Sequence, residues 1–424
     1  MPNVSVPTSK SVSNRLLILQ QAYFPTLRIE GLSQSNDTLL LKNLLEEVKR
    51  TPEDGNCLLD VGNCGTAFRF LMPYLAMRKG NWFIMGDRRM SERPINPLVD
   101  ALREWGAYVE KVDCFEHFPH KGKTPLLCIR GTDLQPKDLT LDLSQSSQFL
   151  SALMMAALMM AAPAFDRPVT FHITPGAQSL SYVRMTASVM QELGMEVEVA
   201  ETYVTVFPLK TRKCPSIVSV PCDWSGAAFW WVLAALCKPP FSLNVEGIQM
   251  DERQPDSCIV QLLSDWGVKT TFYNDFAVIE KSDHLVLPDH LRLDAGECPD
   301  LVPLLVVMCT LLYLPAVFEN AEILQYKESD RIFALEHNLL AWARLYLKGK
   351  NLYLDPISFP DTPSCFPVFK DHRIALAFSL FTVMQPDLGI PAPVFYKSYP
   401  RFVRFLKRLR RKNNIVWPDG FPDF

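Results

Sequence analysis

One pattern constrains this chain more than any other. A short polar cluster runs directly into an apolar stretch of helical length, and the pair occurs six times, roughly every seventy residues. The clusters occupy 9–15, 63–69, 144–148, 223–226, 297–300 and 370–373. The stretches that follow occupy 16–22, 70–76, 149–162, 227–237, 301–312 and 374–384. They are apolar nearly all round, which predicts helices buried on every side. A second, amphipathic helix follows in each unit, as at 38–49, 96–105, 182–193 and 257–266. Three of these close on Trp105-Gly106-Ala107, Leu193-Gly194-Met195 and Trp266-Gly267-Val268. Each puts Gly where the residue after a helix turns left-handed, ahead of an alternating strand such as Glu196-Val197-Glu198-Val199. The unit reads as strand, buried helix, strand, surface helix, strands. Six units imply an α/β (α+β) chain of two similar domains, three units each, with the break near Val220-Pro221.

Helix N-termini carry unpaired backbone N–H groups and a partial positive charge, so each cluster is a seat for an anion. In the first cluster Ser11 and Ser13 add hydroxyls, Lys10 a mobile charge, and Arg15 a planar fork matched to phosphate or carboxylate. A Ser cap with solvated cations would explain that segment taken alone. If the buried helices of each domain run parallel, their N-termini share a face. Two such faces opposed would line a cleft with Lys10, Arg15, Arg69, Arg93, Arg331, Arg373 and Lys397. The expected ligand is small and multiply anionic, a phosphate ester.

Net charge is −3 over 424 residues, which argues against a nucleic-acid or membrane partner for the chain as a whole. The basic run 401–412 reads as the solvated face of a last amphipathic helix, with Phe402, Phe405, Leu406 and Leu409 inward. Eleven cysteines without a C-x-x-C pair fit buried thiols in a reducing compartment, not a disulfide framework or zinc site. His117 and His120 have no accompanying ligand set and read as loop. The apolar run 301–318, about 18 residues long, is interrupted by Pro303 and Pro315 and is expected as a buried helix. No secretory signal precedes Lys10. The expectation is a cytoplasmic monomer with no metal, cofactor, membrane or nucleic-acid partner.

Basic groups hold anions, but a reaction also needs proton transfer. The carboxylates in or beside the clusters are Asp223, Asp300, Glu328 and Asp371. Asp300, just ahead of an apolar helix, reads locally as an N-cap. Ser329 or Asp330 could cap the next surface helix, leaving Lys327, Glu328 and Arg331 without a structural task. Among cations a carboxylate's pKa falls, which suits a base. Gly65 allows close backbone approach to a ligand, or serves a simple turn. Walker, dinucleotide-binding and Ser-His-Asp signatures are missing, and a cofactor-free transfer on phosphorylated substrates remains.

Taken together, the clusters resemble the 5-enolpyruvylshikimate-3-phosphate (EPSP) synthase family. The resemblance rests on 9–15, Gly62 through Arg69, and Arg89-Met90-Ser91-Glu92-Arg93-Pro94-Ile95. It continues through Ser146-Ser147-Gln148-Phe149, Lys327-Glu328-Ser329-Asp330-Arg331, Asp371-His372-Arg373 and Lys397-Ser398-Tyr399-Pro400, in family order over nearly the whole chain. It implies two domains of three βαβαββ units each, an inside-out α/β barrel with buried parallel helices. The expected boundaries are 9–221, and 1–8 with 222–424, with the active site in the cleft between them. The implied reaction moves the enolpyruvyl group of phosphoenolpyruvate to the 5-hydroxyl of shikimate 3-phosphate by addition and elimination of phosphate. Shikimate 3-phosphate is then expected at Ser11, Arg15, Ser146, Ser147, Ser179, Tyr182, Asp300 and Lys327. Phosphoenolpyruvate is expected at Lys10, Gly65, Arg93, Gln148, Arg331, Arg373 and Lys397. The implied catalytic set is Asp300, Glu328, Lys10 and Asp371, with Asp300 taking the hydroxyl proton.

Five positions depart from the family pattern: Thr8, Cys64, Phe70, Ile323 and Lys370. None is a proton-transfer group or an anion-binding charge. They motivate one rival reading, a degenerate relative that only binds anions. A second rival, UDP-N-acetylglucosamine enolpyruvyl transferase, is remote because its first motif has Lys-Asn where this chain has Lys10-Ser11.

Overall fold

The computed structural model describes residues 2–53, 55–112, 124–157, 167–209, 214–358, 365–381, 389 and 392–411. His117, His120 and the tail from 412 lie outside these residues. The chain divides into two compact units. The first is Lys10–Val220, and the second joins Met1–Ser9 to Pro221–Phe424. Ser9 and Pro221 thus group with the second unit, one residue away from the expected boundary on each side. Each unit has its own apolar core.

The apolar stretches form helices as their composition dictates. In the first unit these are α1 (Lys10–Ala22), α2 (Gly65–Ala76) and α3 (Gln148–Ala157). In the second they are α4 (Trp224–Leu236), α5 (Val302–Leu311) and α6 (His372–Phe378). All ten residues of α5 are buried, and Pro303 sits in its first turn, where no N–H is needed. The polar clusters supply the caps. Asp223 accepts from the Gly226 N–H at 2.8 Å, and Asp371 accepts from the Arg373 N–H at 2.8 Å. Cys64, in place of a small apolar residue, caps α2 through its sulfur, 3.4 Å from the Ala67 nitrogen. Three tryptophans of α4 are fully buried, and their N–H groups reach Gln249, Tyr399 and Thr270.

Gly106, Gly194 and Gly267 take positive φ angles of 93°, 81° and 106° after their surface helices, as the repeated endings predict. The fifth surface helix, Arg331–Leu339, leaves through Leu340 in right-handed backbone instead.

Four sheets share one strand order, which is the physical content of the repeat. In the first unit they run Asn56–Asp60, Asn81–Gly86, Thr124–Arg130, Tyr108–Lys111, and Leu139–Leu141, Val169–Ile173, Tyr203–Val206, Val197–Val199. The second unit holds Asn3–Ser5, Phe241–Glu246, Phe276–Lys281, Lys269–Phe272, and Leu291–Asp294, Ala316–Glu319, Asn351–Pro356, Ala343–Lys348. In each, the first pair is parallel, across a buried helix in three of the four, and the rest are antiparallel. Two strands change places. Asn3–Ser5, ahead of α1, joins the second unit's sheet, while Ile217–Ser219, ahead of α4, pairs with Arg28–Glu30 in the first. Among the described residues no helix is long and apolar enough to cross a membrane.

Candidate active site

In the first unit the charged clusters sit where the buried helices begin. Lys10 opens α1, and its ammonium lies 3.0 Å from the Asp37 carboxylate, with both residues buried. An anion reaching Lys10 therefore competes with Asp37. Arg15, one turn on, is 2 % exposed. It donates to the Thr186 hydroxyl at 2.7 Å, the Ser11 carbonyl at 2.9 Å, the Tyr182 carbonyl at 3.1 Å and the Ser151 hydroxyl at 3.5 Å. Burial pulls its pKa down to about 10, so it stays charged at neutral pH. The ring of Phe70 lies 5.4 Å from its guanidinium, a cation–π contact that gives this departure from the family pattern a place in the fold. Arg15 is thus a tie between α1, α3 and the surface helix Leu180–Glu192.

Arg69 on α2 links the other cluster starts. It donates to the Gln148 side-chain oxygen at the head of α3 and to the Pro94 carbonyl, each at 2.9 Å. Burial, with Arg93 next in weight, pushes its pKa well below the ordinary arginine value. Arg93 follows the short helix Arg88–Glu92, and its guanidinium lies directly over Gly65. A Cβ on Gly65 would come within 2.5 Å of Nη1, 2.6 Å of Nη2 and 2.7 Å of Cζ. Gly65 is glycine because the arginine occupies that space. Ser146 accepts from the Gln148 N–H at 3.3 Å, and Ser147 is buried beside it. Ser179 heads its surface helix in left-handed backbone, φ 59° and ψ 38°, a conformation costing a non-glycine residue about 1 kcal/mol. Its hydroxyl is buried without a protein partner, at a helix N-terminus that attracts anions.

The second unit carries a tighter network. Asp300 does not cap α5, whose N-cap residue is Leu301 with no side-chain cap bond. Instead Oδ1 accepts from Arg331 Nη1 at 2.8 Å, and Oδ2 accepts from Arg373 at 3.0 and 3.2 Å. Asp371, fully buried, accepts from Arg331 Nε at 3.0 Å and the Ser329 hydroxyl at 3.1 Å, besides capping α6. Every acceptor of Asp371 points into the fold, so its geometry is that of a holder of Arg331. Asp330 caps the surface helix at 3.1 Å. Glu328 lies 2.8 Å from His372 Nδ1 and 3.5 Å from the Lys397 ammonium.

Burial pushes the Asp300 carboxyl up, but Arg373, Arg331 and Lys327 outweigh it and hold the pKa well below the usual carboxylate range. For Asp371 burial is likewise outweighed, chiefly by Arg331. Burial lowers and the facing carboxylates raise the pKa of both Arg331 and Arg373, with a net upward shift. Asp300, Asp371, Arg331 and Arg373 are therefore all charged at rest. Glu328, Asp371 and His372 offer ligand atoms within 4.8 Å of one another. Yet Asp371 already accepts three hydrogen bonds, and Arg331 and Lys397 crowd the set with positive charge, which a divalent cation would have to displace.

Several partners were not expected from sequence: Asp37 for Lys10, Thr186 and Ser151 for Arg15, and His372 for Glu328. Asp37 reads as an ordinary first-turn acid of its helix, and the hydroxyls carry no local signal at all. The other departures also have places. Thr8 bridges to Cys222, Ile323 is fully buried, and Lys370 takes left-handed backbone just before the cap of α6.

The family model for EPSP synthase (3-phosphoshikimate 1-carboxyvinyltransferase) matches residues 2–406. The 3-phosphoshikimate 1-carboxyvinyltransferase of Bacteroides fragilis is 31 % identical over 411 residues, spanning 96 % of this chain and 94 % of its own. That of Nitrosomonas europaea is 30 % identical, spanning 94 % and 95 %. Among solved structures, EPSP synthase from Acinetobacter baumannii aligns with a TM-score of 0.66 at 20 % identity, covering 96 % of this chain and 95 % of that one. An enolpyruvyl transferase from Streptomyces tendae aligns at 0.64 and 15 %, covering 96 % and 94 %. At such identities the structures speak for the fold alone. The relatives and the family model, over nearly the whole length, place this chain in the EPSP synthase family.

Proposed function

We propose that the chain transfers the enolpyruvyl group of phosphoenolpyruvate to the 5-hydroxyl of shikimate 3-phosphate, releasing phosphate. The second-unit network carries this reading: two carboxylates, Asp300 and Glu328, held among Arg331, Arg373 and Lys397. Two anions must be brought together, so cations first offset their repulsion. Phosphoenolpyruvate is assigned to Lys10, Gly65, Arg93, Gln148, Arg331, Arg373 and Lys397. Shikimate 3-phosphate is assigned to Ser11, Arg15, Ser146, Ser147, Ser179, Tyr182 and Lys327, where Arg15 acts mainly by fixing Tyr182 and Ser11.

Resting Asp300 is ionised but a weak base, because two guanidinium groups claim its oxygens. Substrate anions that draw Arg331 and Arg373 away would return its pKa toward the range useful for taking the hydroxyl proton. The oxygen then adds to C2 of phosphoenolpyruvate while a proton reaches C3. Glu328 and Lys10 are assigned that proton and the departing phosphate, and elimination restores the double bond. Asp371 holds Arg331 in place. Eleven cysteines without a C-x-x-C pair, free wherever they are described, fit a cytoplasmic location, and we take the chain to act as a monomer.

Gly65→Ala forces the Arg93 guanidinium to move, since its Cβ would lie 2.5 Å from Nη1. The flexible arginine yields, so the fold survives. The expected result is a KM for phosphoenolpyruvate raised about tenfold or more, with kcat changed far less. Steady-state kinetics in both substrates checks this, and an unchanged KM removes Arg93 from that subsite. For the reaction itself, mass spectrometry of the products is the test. It should find an enol ether of shikimate 3-phosphate, and intact substrates after long incubation would contradict the assignment.

A further inference from the structure

Asp256 is a buried carboxyl that no step above uses. It is 1 % exposed and lies on the short 3-10 turn Pro255–Cys258. Gln254 fixes that turn against the start of α4. Its amide donates to the Cys222 carbonyl at 2.6 Å and to the Asp251 carboxylate at 2.9 Å, and it accepts from the Trp224 N–H at 3.2 Å. Neither oxygen of Asp256 meets a protein donor at hydrogen-bonding geometry, and the Ser225 hydroxyl lies close but falls short of it. Leaving a buried carboxylate so poorly satisfied is costly, unless it carries a proton or serves a neighbour.

The groups facing Asp256 are charged. Asp300, Arg373 and Asp223, which caps the adjoining helix, act on it electrostatically, and Asp256 in turn acts on the buried Cys298 thiol. Arg373 Nη1 is buried and likewise lacks a protein acceptor, although Nε and Nη2 hold Asp300. Arg373 thus answers to three carboxyls, Asp300, Asp223 and Asp256, with the like charge of Arg331 behind.

We infer that Asp256 is a positioning residue for Arg373, whose charge sets how much of that cation remains to hold a substrate anion. The inference rests on the assignment of Arg373 to anion binding. With Asp256 protonated, Arg373 keeps Nη1 for an incoming anion. With Asp256 ionised, a third carboxylate competes for it. Burial first and Asp300 second push the Asp256 carboxyl up, against the pull of Arg373, to about 7, so the exchange falls in the neutral range.

Asp256→Asn keeps the shape and fixes the neutral form. The readout is KM for phosphoenolpyruvate and kcat in wild type and variant across about pH 6 to 8.5, where the substrate's own ionisation cancels in the ratio. The wild-type to variant KM ratio should be near one at the acid end and rise about threefold or more at the alkaline end, while the kcat ratio stays level. A second readout needs no turnover. Sulfate stays a dianion over this range, and its stabilising shift of the unfolding midpoint should shrink with rising pH in the wild type but not in Asp256→Asn. A level KM ratio, or equal sulfate shifts in the two proteins, overturns the role. Absence of turnover in the wild type would sink the transfer reading, and the sulfate series would still decide Asp256. If the variant does not fold, a wild-type sulfate shift that is constant with pH overturns it.

Discussion

Asp300→Asn should lower kcat by about 10²- to 10⁴-fold, the range that loss of a positioned general base costs. The substitution keeps the side chain's shape and one hydrogen-bond acceptor for the arginines, so the fold should persist. Arg331 retains Asp371, and Arg373 retains Asp223 and Asp256 as opposing charges. What disappears is the carboxylate that both guanidinium groups grip in the resting state. Arg331 should then meet phosphoenolpyruvate with less competition, while loss of the Asp300 charge favours ionised Asp256, which holds Arg373. A large fall in kcat with little change in KM for phosphoenolpyruvate is therefore the expected signature, read by steady-state kinetics. A kcat within tenfold of wild type would remove Asp300 from proton transfer.

Arg331→Met should unfold the second unit more easily. Arg331 is 2 % exposed and Asp371 is fully buried, with the guanidinium supplying Asp371's main countercharge. Removing one member of a buried pair leaves the other charge without compensation, at a cost of about 3–5 kcal/mol. For a unit of about 200 residues that lowers the melting temperature by roughly 10 °C. Arg373→Met should cost less, because its partner Asp300 keeps 24 % side-chain exposure and can rehydrate. Thermal melts of the two variants side by side check the ordering. Equal, small shifts would mean that the network does not hold the unit together.

Much of the fold was legible because it repeats. Six polar-to-apolar junctions locate the buried helices, although α1 and α2 begin earlier, at Lys10 and Gly65 inside their clusters, and three Leu-Gly or Trp-Gly endings fix where the chain turns left-handed. The strand exchange was not legible from the residues themselves. Only the family resemblance set 1–8 with the second domain; nothing local in Asn3–Ser5 or Ile217–Ser219 says that one pairs with Phe241–Glu246 and the other with Arg28–Glu30, since strand pairing is settled by distant partners. At the site, the charged residues stood out but their partners did not. Asp300 reads as a cap from its neighbours, and becomes a double arginine acceptor only when 331 and 373 are brought to it across the fold. Asp256 follows Pro255 in a segment without any repeat signature, so its burial beside Arg373 depends entirely on tertiary packing.

The most direct measurement mixes purified protein with phosphoenolpyruvate and shikimate 3-phosphate, without added metal or nucleotide, and follows phosphate. Release that requires both substrates together is the predicted result. Release from phosphoenolpyruvate alone, or none while both ligands bind by calorimetry, would contradict enolpyruvyl transfer and leave a binder in its place.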